Sequence, residues 1–180
     1  MNPDNPSGTW HSSARVDLLV EQMPRGTLLL VDEAYHELGD DPDALRRVAV
    51  DDPRVIRMRT FSKAYGIAGA RIGYALGAPS LISAFDKIRN HFGIGRISQA
   101  AALAALADRE YLATVRSRTR ASRQRLGAIG AANGLTPLSS GTNFVTMDCG
   151  RDGGFARVVL AELLERDVFA RMPGVPPLDR

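Results

Sequence analysis

A chain of 180 residues that is 44% hydrophobic has room for one domain, or one large and one small, around an ordinary globular core. A net charge of +3 is too small to point to nucleic acid, no apolar run approaches the roughly 20 residues of a membrane span, and the lone Cys149 excludes an internal disulfide framework. The opening MNPDNPSG carries no apolar segment of a secretory signal, so a reducing, cytoplasmic location is expected.

Taken in order, NPDNPSG (2–8) is dense in turn formers and reads as loop. A helix is predicted from His11 to Met23, with Ser12 or Ser13 as N-cap, an apolar stripe of Val16, Leu19, Val20 and Met23, and Pro24 and Gly26 closing it. TLLLVDEAY (27–35) is a continuous apolar run too short for a helix, which reads as a strand buried on both faces. DDPDALRRVAV (40–50) reads as a short helix, RVIRMRTF (54–61) and RIGYALG (71–77) as strands, and APSLISAFDKIRN (78–90) as a helix started by Pro79 and Ser80. From about Ser98 to Asn133 the chain is alanine- and arginine-rich and helical, with a break near Asp108. GTNFVTMDCG (141–150) reads as strand, GFARVVLAELLERD (154–167) as helix and VFARM (168–172) as a last strand. Strands alternating with helices give an α/β architecture, a mostly parallel sheet with one strand reversed.

Arg109, Arg116, Arg118, Arg120, Arg123 and Arg125 form a basic run without interleaved aromatics, which reads as the solvated face of a long helix. Asp17 and Glu21 also read as solvated, and His11, His36 and His91 lack metal-ligand spacing. Only two lysines, Lys63 and Lys87, stand among 23 basic side chains. Lys63 sits between hydroxyl and small residues at a strand end.

Ligands of open α/β sheets collect beyond the carboxyl ends of the strands. Asp32 ends the first strand, Thr60, Ser62 and Lys63 end the second, Asn5 lies in the opening loop, and Arg71 follows Lys63 by eight residues. A carboxylate can hold a protonated ring nitrogen, a lysine can condense with an aldehyde, and hydroxyls with an arginine can hold a phosphate. Each residue also has an ordinary alternative: a surface cation for Lys63, a strand-end cap for Asp32 and Glu33, a core ring for Tyr35, an ion-pair partner for Arg71.

In the order and spacing of NPDNPSG, VDEAY, TFSKAYGIAGARIGY and, more weakly, SGTNFV, the chain resembles the fold-type I, class I/II aminotransferases, and within them the histidinol-phosphate branch. The resemblance implies pyridoxal 5′-phosphate as cofactor. Lys63 would carry its aldehyde and shuttle the substrate proton, and Asp32 would pair with the pyridine nitrogen. Asn5 and Tyr35 would bind the phenolic oxygen; Thr60, Ser62 and Arg71 would bind the phosphate. An arginine at position 63 could not replace the lysine, because a guanidinium stays protonated.

The reaction implied is transfer of an amino group between a histidinol phosphate-like amine or amino acid and a 2-oxo acid, in ping-pong halves, by a cytoplasmic homodimer with no nucleic-acid or membrane partner. Residues 1–110 would be the C-terminal part of the large cofactor-binding domain, and 111–180 a linking helix and part of a small α+β domain. The family's phosphate-binding turn, ring-stacking aromatic, cross-subunit tyrosine and substrate-carboxylate arginine have no match here. The chain is therefore expected to be part of a longer enzyme and inactive alone. Two alternatives stay open: a threonine-phosphate-type decarboxylase on the same cofactor, and a non-catalytic remnant.

Overall fold

The computed structural model describes residues 1–40, 50–174, 176, 178 and 179. Helix α1 (Ser13–Gln22) begins after Ser12, which takes the extended N-cap backbone without a side-chain capping bond, and ends before Pro24. Strands β1 (Leu29–Asp32), β2 (Val55–Thr60) and β3 (Gly73–Gly77) form one sheet in that order. β1 and β2 run parallel, with Asp32 opposite Met58; β2 and β3 run antiparallel, with Thr60 opposite Gly73. The reversed strand is thus β3. The helix expected over 40–50 falls on 41–49, outside the described residues.

Val16 and Val20, one helical turn apart on α1, pack against Val31 and Val55 to form one core cluster. Two expectations of burial fail here. Leu19 is 51% exposed, and Leu30 is 54% exposed. Alternate residues of a strand face opposite sides, and α1 covers only the side that Val31 presents. A second cluster joins Tyr35, Leu38 and Ala64, with Leu112, Val115 and Phe144 against it.

Helix α2 (Pro79–Phe85) takes Pro79 in its first turn, where the missing N–H is harmless. It stops short of the predicted Asn90. Ile88, just beyond it, is 84% exposed, so further turns would gain no packing. Helices α3 (Arg96–Ala107) and α4 (Arg109–Ala132) part at Asp108, whose carboxylate accepts the Tyr111 N–H at 2.9 Å and caps α4. Along α4, Arg109, Arg118, Arg120 and Arg125 are exposed and Arg116 half-buried, but Arg123 is 9% exposed. The arginine run is not a wholly solvated face.

β4 (Thr136–Pro137) and β5 (Met147–Asp148) form a two-stranded ribbon, so only a fragment of the predicted 141–150 strand pairs. Asp152 accepts the Phe155 N–H at 2.9 Å and starts α5 (Gly153–Leu164). The predicted strand over 168–172 is irregular; no described strand pairs with it, and Phe169 is 85% exposed. Among the described residues no helix is long and apolar enough to cross a membrane.

Candidate active site

Parallel pairing brings the carboxyl ends of β1 and β2 side by side. Asp32 is half-buried there, and its Oδ1 accepts the Ala34 N–H at 3.0 Å. Its carbonyl accepts the Asn2 N–H at 2.8 Å, which ties the opening loop to the strand end. Asn2 then closes that loop: its Oδ1 accepts the His11 N–H at 2.8 Å and its Nδ2 donates to the His11 carbonyl at 3.0 Å. Within the loop, Asn5 Nδ2 donates to the Tyr35 hydroxyl at 3.3 Å.

Tyr35 is 4% exposed and meets Phe144 edge-on, with centroids 5.6 Å apart. Lys63 Nζ lies 5.2 Å from the centroid of the Tyr35 ring. The side chain of Lys63 is exposed, but its neighbours Phe61 and Ala64 are each 3% exposed and anchor the turn that carries it. The Gly66 N–H closes that turn on the Lys63 carbonyl at 3.0 Å. Ser62 N–H donates to Thr60 Oγ1 at 3.1 Å, and the two hydroxyls lie 2.9 Å apart.

The sequence-predicted residues therefore fall into one linked group and one outlier. Asn5, Tyr35 and Lys63 touch in series, Thr60 and Ser62 form a hydroxyl pair next to Lys63, and Asp32 ends the neighbouring strand. Arg71 stands two residues before β3, and the Phe61 N–H donates to the carbonyl of the next residue, Ile72, at 3.2 Å. Its exposed guanidinium donates to the Ala68 carbonyl at 3.0 Å and makes no described bond to Thr60 or Ser62. Its backbone is left-handed, with φ +46°.

The loop over 138–146 supports the group from the other side. Gly141 N–H donates to the Gly8 carbonyl at 2.8 Å, and Thr146 Oγ1 donates to the Pro6 carbonyl at 2.6 Å. At Gly8, φ is +77° and a Cβ would come 2.8 Å from Ser140 Oγ, so the approach needs glycine.

On the opposite face of the strand ends lies a cluster that sequence reasoning missed. Glu33 is fully buried: Oε1 accepts Arg57 Nε at 2.6 Å, and Oε2 accepts Arg57 Nη2 at 3.2 Å and Arg59 Nε at 2.6 Å. Arg59 Nη1 is 3.8 Å from Glu37 Oε1, too long for a hydrogen bond, and that buried oxygen has no hydrogen-bond partner. Burial pushes the Glu37 carboxyl up, and burial followed by the charge of Arg59 lowers His36 to about 4. Burial, then the nearby Glu37, raises Tyr65 to about 12. Alternation was a partial signal, since it sorts residues by face but does not pair them. Asp32 and Glu33 must face opposite sides of a strand, and Arg57 and Arg59 share a face.

The model of the family described as aminotransferase class I and II matches residues 1–178. The chain belongs to that family. Histidinol-phosphate aminotransferase 2 of Pseudomonas fluorescens is 38% identical over 173 residues, which cover 94% of this chain and 46% of that protein. An aromatic amino acid aminotransferase of Nocardia farcinica is 40% identical over 154 residues, covering 83% and 43%. Among solved structures, histidinol-phosphate aminotransferase from Sinorhizobium meliloti, in complex with pyridoxal-5′-phosphate, superposes with a TM-score of 0.92 at 54% identity. The match covers 99% of this chain and 49% of that one. The chain thus spans about half the length of the relatives it matches, and shares with them the fold-type I architecture predicted from its motifs.

Proposed function

We propose that this chain carries the lysine-bearing part of a pyridoxal-phosphate site, and that the whole protein transfers an amino group between a histidinol phosphate-like amine and a 2-oxo acid. The observation that carries the reading is the series Asn5–Tyr35–Lys63, with Lys63 Nζ 5.2 Å from the Tyr35 centroid, set at parallel strand ends that also bear Asp32, Thr60 and Ser62. The donor set fits the group: a carboxylate for a ring N–H, an amide and a phenol for the phenolic oxygen, two hydroxyls and an arginine for the phosphate, and an amine for the aldehyde.

Bound pyridoxal phosphate supplies the aldehyde that takes up amino groups and the ring that withdraws electrons from the substrate carbon. The chain's own residues hold and orient. Asp32 holds the proton on the ring nitrogen, with Ala34 N–H fixing its carboxylate. Asn5 and Tyr35 would hold the phenolic oxygen, and Thr60 and Ser62 would receive the phosphate together with Arg71, whose guanidinium donates to the Ala68 carbonyl. Lys63 would hold the cofactor through its amine and, when that amine is free, would move the proton at the substrate carbon. The reading includes residues 1–110 as part of the large domain and 111–180 as linking helix and small domain, and a cytoplasmic homodimer as the working form. The support for histidinol phosphate as amine is the likeness to the Pseudomonas and Sinorhizobium enzymes.

The test is chemical. The chain is incubated with pyridoxal phosphate, reduced with borohydride, digested and mapped by mass. The pyridoxyl group should sit on Lys63, while exposed Lys87 stays largely unlabelled, and Lys63→Arg should lose the label. A label on Lys87 alone, or equally on both, overturns the reading. The substrate is then tested in the full-length polypeptide, with histidinol phosphate or an aromatic amino acid as donor to a 2-oxo acid; a preference for the aromatic donor removes the histidinol-phosphate part alone.

A further inference from the structure

We infer that Arg123 is a positioning residue for the Tyr35–Phe144 pair beneath Lys63, acting through the carbonyls of Leu38 and Thr142; the inference rests on the pyridoxal-phosphate reading above. Arg123 is the one arginine of the run along α4 that is buried. Its Nη1 donates to the Leu38 carbonyl and to the Thr142 carbonyl, both at 2.9 Å, and its Nη2 donates to Asp40 Oδ1 at 2.7 Å. Asp40 also accepts Arg120 Nε at 3.1 Å, one turn back on the same helix.

Both carbonyls lead to the site. Leu38 ends the single 3-10 turn that opens directly after Tyr35, and its N–H donates to the Tyr35 carbonyl at 2.9 Å. Thr142 Oγ1 accepts the Phe144 N–H at 3.3 Å and donates to the Phe144 carbonyl at 3.1 Å. One guanidinium nitrogen therefore fixes the spacing of two loops whose aromatic rings then meet edge-on, and Lys63 rests over one of those rings. Leu112 and Val115 of the same helix pack against Tyr35 and its neighbours, so α4 holds the pair by polar and apolar contacts together. The planar fork matters: a lysine offers its donors from a single atom and cannot span the two carbonyls and the carboxylate in the same way. A methionine offers none.

The two lysines make the test internally controlled. The borohydride experiment is repeated on wild type, Arg123→Met and Arg123→Lys, and the ratio of pyridoxyl label on Lys63 to that on Lys87 is read, with thermal unfolding followed separately. Arg123→Met should lower the ratio about tenfold, since sub-ångström to ångström displacement of a reacting group costs one to two orders of magnitude, and Arg123→Lys should recover part of it. In a Tyr35→Leu background Arg123→Met should change the ratio no further, because the residue acts through that ring. A lowered melting temperature with an unchanged ratio overturns the inference and leaves the cofactor reading intact. An equal fall in both backgrounds removes Tyr35 as the route and overturns it too. A wild-type ratio near one removes the cofactor reading and this inference together. Should Arg123→Met lose its near-ultraviolet circular dichroism, the Arg123→Lys ratio decides alone: a fall supports positioning, no change overturns it.

Discussion

At the carboxyl ends of β1 and β2, Glu33 is fully buried between Arg57 and Arg59, whereas along α3 and the stretch that joins α2 to it Ile88, Phe92, Ile97 and Leu103 are 84%, 94%, 88% and 70% exposed. The first region is organised by partners remote in sequence. Glu33 reaches residues of the next strand, and the opening loop hangs from the Asp32 carbonyl. The second is organised locally. Its helix α3 is rich in alanine, which needs no partner to favour the helical backbone. The lesson is that helical backbone is a poor guide to where this chain holds its shape. Fixed geometry is found where buried polar groups are matched, and it is found at the candidate site.

The largest expected effect breaks the first region. Glu33→Gln leaves the buried Arg57 and the half-buried Arg59 short of their counter-charge, and it should lower the urea-unfolding free energy by about 3 kcal/mol. An unchanged urea midpoint would show that the matched charges are dispensable.

A smaller effect sharpens the comparison through pH. His36 titrates at about 4 in the fold and near 6.5 when unfolded, so between these values the unfolded chain binds the extra proton. Stability is therefore full above about pH 6.5 and is lost as pH falls toward 4. Glu37 acts with the opposite sign. Its raised carboxyl favours the folded state below its unfolded value of 4.5, and that help is lost as pH rises through the folded value. In melting curves from pH 7 to 4, His36→Asn should flatten the acid decline and Glu37→Gln should steepen it. Identical slopes in all three proteins would remove both groups from the account.

The smallest effect belongs to the second region. Phe92→Ser, at a side chain that is 94% exposed, should leave the unfolding free energy of this chain within about 0.5 kcal/mol. A loss of several times that would mean that the exposed stretch is held by contacts of its own.

The same contrast explains what could be read in the sequence. The break at Asp108 was legible because capping is local: one carboxylate and one N–H three residues on. The strand ends were legible because apolar runs stop at acids and hydroxyls, and the family because four motifs stood in register. The fully buried Glu33 was not, since its partners are set by the register of two strands. Nor was the inward turn of Arg123, which depends on where the Leu38 and Thr142 carbonyls come to lie. The strand expected at 168–172 failed for the converse reason: a strand needs a neighbour, and β-branched or aromatic residues do not provide one.

Arg71 holds a left-handed backbone at φ +46° and ψ +51°, a conformation that costs a residue with a Cβ about 1 kcal/mol and glycine almost nothing. Two selective pressures meet at this one position. Selection for heat resistance would favour glycine, which relaxes the turn. Selection for phosphate retention would favour arginine, whose guanidinium is the one cation offered to the phosphate in the proposed site. A thermostabilised descendant of this chain that had exchanged Arg71 for glycine would thus be sturdier as a fold and poorer as a holder of its cofactor.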